Sequence, residues 1–299
     1  MTPGLRLALG PLTYYWPRER TLAFYREALA WPIDVVYLGE TVCSRRHELR
    51  AADWLELAGE FAAAGKEAVV STFELIETDA DLRAMRAVAE NGRFAVEAND
   101  MGAVRLLAGR AAFVAGPFLN VYNAATLALL AECGARRWVA PVELSAAGLR
   151  DVISQGPAIE SEVLAYGRLP LAVSARCFTA RYHNLDKDHC GYRCIDDPAG
   201  MLLSTREGDP FLVLNGVQTQ SAAIHNLMPW LDDARAIGVK VLRLSPQPEG
   251  MGEVVSLFAE AVAGRMQPRS AAARLAQVMP ARACDGYWHG RPGMEWRQP

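Results

Sequence analysis

Short runs of aliphatic and β-branched residues recur along the chain, and most are followed by a segment with the periodicity of an amphipathic helix. The runs begin at Leu5, Asp34, Glu67, Arg93, Ala112, Arg137, Leu169 and Val239. The first seven start about 27 residues apart on average, which is the length of one strand, one helix and two short loops. Because the runs are almost continuously apolar, they indicate strands that are buried on both faces of a parallel sheet.

Eight such strand and helix units are typical of a (β/α)8 barrel, although a doubly wound open sheet gives the same pattern. No G-x-G-x-x-G motif follows the first strand, and the chain has no G-x-x-x-x-G-K-S/T motif. We therefore predict an α/β fold, a (β/α)8 TIM-like barrel formed by residues 1–264. Residues 265–299 are predicted to form a C-terminal extension that packs on the barrel.

The seventh interval is longer than the others and indicates an insertion after strand 7. Roughly 40 residues are left over once a normal unit is subtracted. We place the insertion at 177–220 and predict a hairpin that turns at Glu207-Gly208-Asp209-Pro210. The segment 221–238 is predicted to supply the missing helix before the eighth strand.

Four cysteines suggest a metal site. Cys177, Cys190 and Cys194 are spaced C-x12-C-x3-C, while Cys43 lies just past the second strand. Since the carboxyl ends of barrel strands meet at one rim, Cys43 and Cys177 should emerge on the same face, and the insertion would carry the other two across the mouth. Sulfur ligands with uneven spacing suit an iron-sulfur cluster better than structural zinc, which often uses paired knuckles. Zinc and inert buried thiols are the alternatives.

Other residues near the predicted site have less distinctive patterns. His183 and His189 lie inside the insertion, and either could replace Cys43 as a ligand. Cys133 lies on an apolar helix face and is predicted to be a core residue. No Ser-His-Asp order and no close Cys-His pair can be identified, so no catalytic residue is assigned.

Polar residues follow several strands and predict a pocket at the rim, above an apolar barrel interior. A carboxylate or phenolic ligand could be held there by arginine with help from amides. Asp100 is an exception, because we expect it to cap the following helix. The candidate pocket residues are Glu97, Asn99, Asn120, Tyr122 and Arg176.

Composition limits the class of protein. A net charge of -3 offers no basic surface for nucleic acid, and no apolar run has the length of a membrane span. The N-terminal segment lacks the features of a signal peptide, so we expect a cytoplasmic protein. Six cysteines in 299 residues do not indicate a disulfide framework.

The segments VEANDMGAVRLL, GPFLNVYN, SARCFTARYHNLDKDHCGYRC and CDGYWHGRPGM closely resemble the peptidase U32 family, and the resemblance extends over nearly the whole chain. The cysteine placement resembles a branch of that family that serves ubiquinone biosynthesis. The resemblance implies a [4Fe-4S] cluster bound by Cys43, Cys177, Cys190 and Cys194 in a heterodimer with a UbiU-like paralogue. It further implies an oxygen-independent hydroxylation of a ubiquinone precursor, with prephenate as the oxygen source and a UbiT-like lipid carrier.

Two other functions are weighed against that hypothesis. Some U32 proteins are prephenate-dependent RNA hydroxylases, but that activity would require a basic face. A zinc-stabilised scaffold without catalysis is the other alternative. Proteolysis, which the family name suggests, is not favoured, because only Cys133 and Cys284 would remain as free nucleophiles and neither is well placed.

Overall fold

A computed structural model describes residues 4–297. Residues 1–3 of the predicted barrel and residues 298–299 of the predicted C-terminal extension lie outside the described residues. Eight parallel strands form a closed barrel, because the last of them pairs with both the first and the seventh. This confirms the predicted (β/α)8 barrel. The barrel strands are β1 (Arg6–Leu9), β2 (Val35–Leu38), β3 (Glu67–Ser71), β4 (Ala95–Ala98), β5 (Phe113–Ala115), β6 (Ala135–Val139), β7 (Glu160–Val173) and β11 (Val241–Leu244).

Helices surround the barrel and are packed on its outer face. They are α1 (Arg18–Ala28), α2 (Ala51–Ala63), α3 (Asp79–Ala89), α4 (Met101–Leu107), α5 (Ala124–Glu132), α6 (Ala146–Gln155), α8 (Leu231–Ile237) and α9 (Met251–Val262). Alternate strand residues such as Val36, Leu38 and Val70 belong to the large apolar core that includes these helices. Asp100 caps α4 as predicted, because its side chain accepts a hydrogen bond from the N–H of Gly102 at 2.6 Å.

The barrel interior is charged at its centre, whereas the sequence predicted an apolar interior. Glu162 accepts hydrogen bonds from Tyr37 Oη at 2.5 Å and from Arg243 Nε at 2.6 Å. Arg243 also donates to Glu97 at 2.7 Å. A further arginine, Arg137, contacts Tyr37 at 3.1 Å and continues the network toward the amino ends of the strands. These buried charges are all paired, as the low polarity of a barrel interior requires.

Strand β7 begins earlier and extends further than the predicted run at Leu169. Residues 160–166 form its barrel portion, which pairs with β6 and β11. Gly167 (φ 130°) then allows the chain to bend past Ser245, and residues 168–173 leave the barrel to pair with a later antiparallel strand. The start of this strand was missed because it is charged and does not form an apolar run. Glu160 and Glu162 pair there with arginines that are distant along the chain.

The insertion contains the predicted hairpin, and the strand that follows this hairpin was wrongly predicted to be helical. Helix α7 (Phe178–Tyr182) is followed by β8 (Met201–Ser204) and β9 (Pro210–Asn215), which form the hairpin. The first part of the predicted helix 221–238 is instead strand β10 (Gln218–Asn226), which pairs with β7 and β9. A short apolar run does not distinguish strand from helix, and here the exposed edges of β7 and β9 decide between them.

The C-terminal segment lies against this added sheet and the barrel helices. Helix α10 (Pro268–Val278) packs on α9, and β12 (Ala283–Cys284) pairs in parallel with β10. Trp288 is buried in the main core. Within residues 4–297, none of the helices combines the length and the apolar character needed to cross a bilayer.

Candidate functional site

The four candidate cysteines lie at the carboxyl end of the barrel and in the insertion. Cys43 follows β2, and Cys177 follows the outward extension of β7 at the start of α7, where its Sγ accepts a hydrogen bond from Ala180 N–H at 3.4 Å. Cys190 and Cys194 lie in the segment between α7 and the hairpin. All four thiols are half-buried.

The insertion packs directly on the loop that carries Cys43. Asp188 forms an ion pair with Arg45 at 2.5 Å, and the ring of Tyr192 lies edge-on to that of His47 with 4.6 Å between the ring centroids. Asp188 and Tyr192 stand two residues before and two residues after Cys190. Contacts on both sides of Cys190 therefore hold this part of the insertion against the Cys43 loop. The grouping of Cys190 with Cys43 in one metal site stays a prediction.

Three of the thiols are close enough to influence one another electrostatically. Burial raises the pKa of the Cys194 thiol to about 11, Arg46 opposes this effect, and negative charge on Cys43 and Cys177 adds to it. Burial likewise raises the pKa of Cys43, which Arg46 opposes and Cys177 reinforces. Thiols from three separate parts of the chain are thus electrostatically coupled. Because burial disfavours their ionised form, a nearby positive charge is needed to keep them as thiolates.

Arg46 supplies that positive charge and joins the parts of the site. Its side chain is 1% exposed, and the guanidinium donates to the carbonyl of Thr13 at 2.6 Å and to Asn215 Oδ1 at 2.7 Å. It also pairs with Glu40 at 3.5 Å, and its positive charge lies near the Cys194 and Cys43 thiols. The same Glu40 carboxylate accepts the N–H of Cys43 at 3.2 Å. No sequence signal pointed to Arg46, because Asn215 is 169 positions away.

The chemistry of these donors fits an iron-sulfur cluster. Cys43 and Cys194 lie beside the buried cation of Arg46, and Arg46 Nε is buried without a hydrogen-bond partner among the described residues, so it is available to a further acceptor such as a cluster sulfur. Within residues 4–297, no group of three or more His, Cys, Asp and Glu side chains is already arranged to hold a metal ion. The four cysteines as ligands stay a prediction.

The two histidines of the insertion differ in their surroundings. Nε2 of His183 is buried and has no partner in the described part of the chain, whereas His189 is exposed. Of the two, only His183 therefore has a buried ring nitrogen that is free for a further partner.

The predicted pocket residues do not form one pocket. Glu97 is buried inside the barrel, where it accepts hydrogen bonds from Ser71 at 2.7 Å and from Arg243. Asn99 is buried as well, and its amide donates to the carbonyl of Thr72 at 3.0 Å. Both side chains thus have partners within the fold.

The other three candidates lie further out. Asn120 lines an open cleft beside the mouth, and Tyr122 is 43% exposed and donates to Glu143 at 3.1 Å. Arg176 is exposed near Cys177. The positions of these residues at strand ends correctly predicted the end of the barrel at which they lie. They did not predict how deeply each side chain is buried.

A cavity of about 540 Å³, including its open mouth, lies above the barrel interior. Its wall is largely apolar, with Phe118, Val142 and Leu164 among the lining residues. The polar groups on this wall are Thr13, Glu74, Arg168, Gln218, Gln220, Arg243 and Ser245. None of the five predicted pocket residues lines it. Strand β10, which carries both glutamines, was predicted to be helical, and this error hid the cavity.

A chain of hydrogen bonds crosses this cavity. Tyr14 donates to Gln220 at 3.2 Å, Gln220 donates to Gln218 at 2.7 Å, and Gln218 donates to Glu74 at 3.0 Å. Thr41, two residues before Cys43, also donates to Glu74 at 3.1 Å. Burial raises the pKa of Glu74 to about 8, so a proton is retained there near neutral pH. The cavity and the cysteine loop are therefore in contact through Thr41.

A family model described as "Peptidase family U32" matches residues 20–298. Solved structures that resemble this chain include the U32 peptidase Mk0906, with 9% identity, a TM-score of 0.46, and coverage of 83% of this chain and 95% of that chain. Dihydrodipicolinate synthase from Agrobacterium tumefaciens str. C58 has 12% identity and a TM-score of 0.47, with coverage of 91% and 80%. The Bacillus megaterium QM B1551 spore cortex-lytic enzyme SleL has 10% identity and a TM-score of 0.42, with coverage of 87% and 75%. At these scores, the structural similarities carry no functional argument.

Proposed function

The chain belongs to peptidase family U32, and from this premise we propose that it is the iron-sulfur subunit of an oxygen-independent hydroxylation system in ubiquinone biosynthesis, a protein of the UbiV type. In this proposal it binds one [4Fe-4S] cluster through Cys43, Cys177, Cys190 and Cys194. It acts as a heterodimer with a UbiU-like paralogue.

The observation that carries the proposal is the convergence of thiols from separate elements around one buried arginine. Negative charge on Cys177 adds to the raised pKa of both Cys43 and Cys194, Arg46 opposes that rise in both, and the three thiols come from different parts of the chain. Arg46 lowers the cost of keeping these sulfurs ionised, because it places a fixed positive charge next to them. Isolated core cysteines would not need such a partner.

The chain's own residues would hold the cluster and shield it. Glu40 orients the Cys43 loop through its backbone N–H groups, and Arg46 keeps a buried Nε–H that has no partner among the described residues and could donate to the cluster. A cluster with cysteine at all four irons supplies electron transfer or structural support rather than an open iron for substrate. In this proposal, the insertion closes over it through the contacts of Asp188 and Tyr192 with the Cys43 loop.

A peptidase activity with a cysteine nucleophile has no support from the two remaining thiols. Cys284 is fully buried in β12, and burial raises its pKa to about 12, so the thiol stays protonated. Cys133 is half-buried at the end of α5, where it packs against the main core. Neither thiol lines the cavity at the barrel mouth.

The remaining partners of the proposal come from the family resemblance. Prephenate would supply the hydroxyl oxygen, a ubiquinone precursor would accept it, and a UbiT-like lipid carrier would deliver that precursor. The cavity above the barrel interior has a largely apolar wall with a few polar groups, as small-molecule sites do, and it contacts the cysteine loop through Thr41 and Glu74.

The test is anaerobic co-purification with a UbiU-like paralogue, followed by iron and sulfide analysis of this chain. We expect brown protein with absorbance at about 400 nm and roughly four irons and four sulfides per chain. Cys43→Ala should lose the cluster, whereas Cys133→Ala, a half-buried cysteine remote from the insertion, should keep it. Full iron content in Cys43→Ala would assign the fourth ligand to His183 instead, and His183→Ala in that background should then remove it.

The same experiment separates the alternatives. Colourless protein with stoichiometric zinc would favour a scaffold. A loaded protein that binds RNA tightly at physiological salt would favour the prephenate-dependent RNA hydroxylase, although the net charge of -3 does not favour it.

A further inference from the structure

We propose that Lys187 is a positioning residue that holds the cysteine-bearing part of the insertion closed on the barrel before any cluster binds. The part concerned is residues 186–199, here called the lid segment, which carries Cys190 and Cys194. The inference rests on the proposed function, because it concerns how the ligands of the proposed cluster are brought together. The contacts that carry it are made by protein groups alone.

The lid segment has few of the contacts that usually fix a loop. None of its residues is buried. Its hydrogen-bonded backbone N–H groups donate to carbonyls within the segment, such as that of His189 to Asp186 at 3.1 Å and that of Ile195 to Tyr192 at 3.0 Å. Because no buried side chain and no backbone pairing among the described residues joins the segment to the barrel, exposed and half-buried side chains must do so.

Lys187 makes the most extensive of these side-chain contacts. Its Nζ donates to the carboxylate of Glu77, in the loop between β3 and α3, and to the carbonyl of Ala175 at 2.8 Å. The two side chains of the ion pair are only 19% and 29% exposed, so water screens the pair less than it screens a surface pair. One ammonium group therefore joins the lid segment to the barrel and to the end of the outward extension of β7.

The other contacts attach the lid segment less firmly. Asp188 pairs with Arg45, in the loop after β2, at 2.5 Å, but the Asp188 side chain is 68% exposed and solvent screens this pair. Near the other end of the segment, Trp16 Nε1 donates to the carbonyl of Pro198 at 2.7 Å. Of these contacts, only that of Lys187 is both charged and largely removed from water, so its loss should have the largest effect.

The position of Lys187 brings two ligand-bearing segments side by side. Cys177 follows Ala175 by two residues, and Cys190 follows Lys187 by three. Ligands that are held together in advance spare a cluster the conformational entropy that ordering them would cost on binding. We therefore expect the lid segment to be protected in the metal-free chain, and cluster assembly to depend on Lys187.

The first experiment is hydrogen exchange with mass spectrometry on the metal-free full chain, prepared anaerobically with a reductant. We expect Lys187→Met to raise the exchange rate of peptides from 186–199 by at least about tenfold, and Lys187→Arg to keep much of the protection, because it retains the charge and the donors. Arg193→Met is the matched control, since it removes an exposed pair with Asp196 inside the lid segment and should exchange as the wild type does. The urea midpoint should stay close to that of the wild type in all three variants, whereas a role in global stability would shift it together with the exchange rate.

The second experiment is anaerobic reconstitution of the same chains with ferrous iron and sulfide, followed by absorbance at about 400 nm. Lys187→Met should load its cluster at least about tenfold more slowly than the wild type, and Lys187→Arg should recover most of the rate. Glu77→Gln removes the same ion pair from the barrel side, so it should reproduce both effects, and it provides the test should Lys187→Met not fold. The double variant should be no slower than either single variant, because both remove one interaction.

Lid peptides that exchange equally fast in the wild type and in Lys187→Met would overturn the inference, and so would an equal acceleration by Arg193→Met. The two proposals fail separately. A chain that takes up no iron, but whose lid segment exchanges faster in Lys187→Met, contradicts the proposed cluster and supports the closing role of Lys187. A Lys187→Met chain that loads its cluster at the wild-type rate contradicts the positioning role and leaves the proposed cluster standing.

Discussion

Replacement of Arg46 by methionine should destabilise the protein even when no cluster is bound. The change leaves Glu40, whose side chain is 14% exposed, without its cation, and removes the donors to the carbonyl of Thr13 and to Asn215. Breaking one partner of a buried ion pair costs about 3–5 kcal/mol of the free energy of unfolding. We therefore expect the free energy of unfolding of Arg46→Met to be about 4 kcal/mol lower than that of the wild type. This value includes the cost of the acceptors that lose their donor.

Urea denaturation of metal-free protein measures this loss without a contribution from cluster binding. The control is Arg265→Met, which removes an exposed pair with Glu260 and should leave the urea midpoint close to that of the wild type, because solvent screens an exposed ion pair. Adding Glu40→Gln to Arg46→Met should recover part of the loss, because the unpaired charge is then gone. An Arg46→Met chain as stable as the Arg265→Met chain would refute the role assigned to Arg46.

Three further predictions concern the fold. Arg243→Met should lower the free energy of unfolding by about 3–5 kcal/mol, since it leaves Glu162 unpaired inside the barrel, and a urea midpoint close to that of the wild type would contradict this. Gly167→Ala should cost about 2 kcal/mol or more, because φ is 130° and the added Cβ would meet Ser245 at 2.4 Å; thermal unfolding tests it. Burial lowers the pKa of His225 from 6.5 to about 4, so between these values the unfolded chain binds more protons than the folded chain. Stability should therefore fall by up to about 3 kcal/mol as the pH drops from 6.5 to 4, and a His225→Gln chain with the same pH slope would argue against this cause.

The sequence predicted the barrel because its strands are buried on both faces and therefore read as apolar runs. The same rule failed for the start of β7, where the half-exposed Glu160 and the buried Glu162 pair with arginines from other strands. It failed again at β10, because the run 221–226 is equally compatible with a helix. Tertiary pairing decided both segments, and one sequence does not display that pairing.

For the candidate site as well, some residues could be predicted from the sequence and others could not. Thiols could be singled out because cysteine is rare and its spacing is informative, and the strand ends placed Cys43 and Cys177 on one rim. Arg46 and Arg168 could not be found, because their partners Asn215 and Ser221 are distant along the chain and arginine is common. Buried charge is a property of the folded molecule, and it becomes visible only when the packed neighbours are known.

The central claim, that four cysteine sulfurs bind one iron-sulfur cluster, is tested most directly by iron X-ray absorption of the anaerobically purified chain. We predict a first coordination shell made only of sulfur, together with scattering between neighbouring irons. A shell that contains nitrogen or oxygen, or a protein whose only metal is zinc, would contradict the claim.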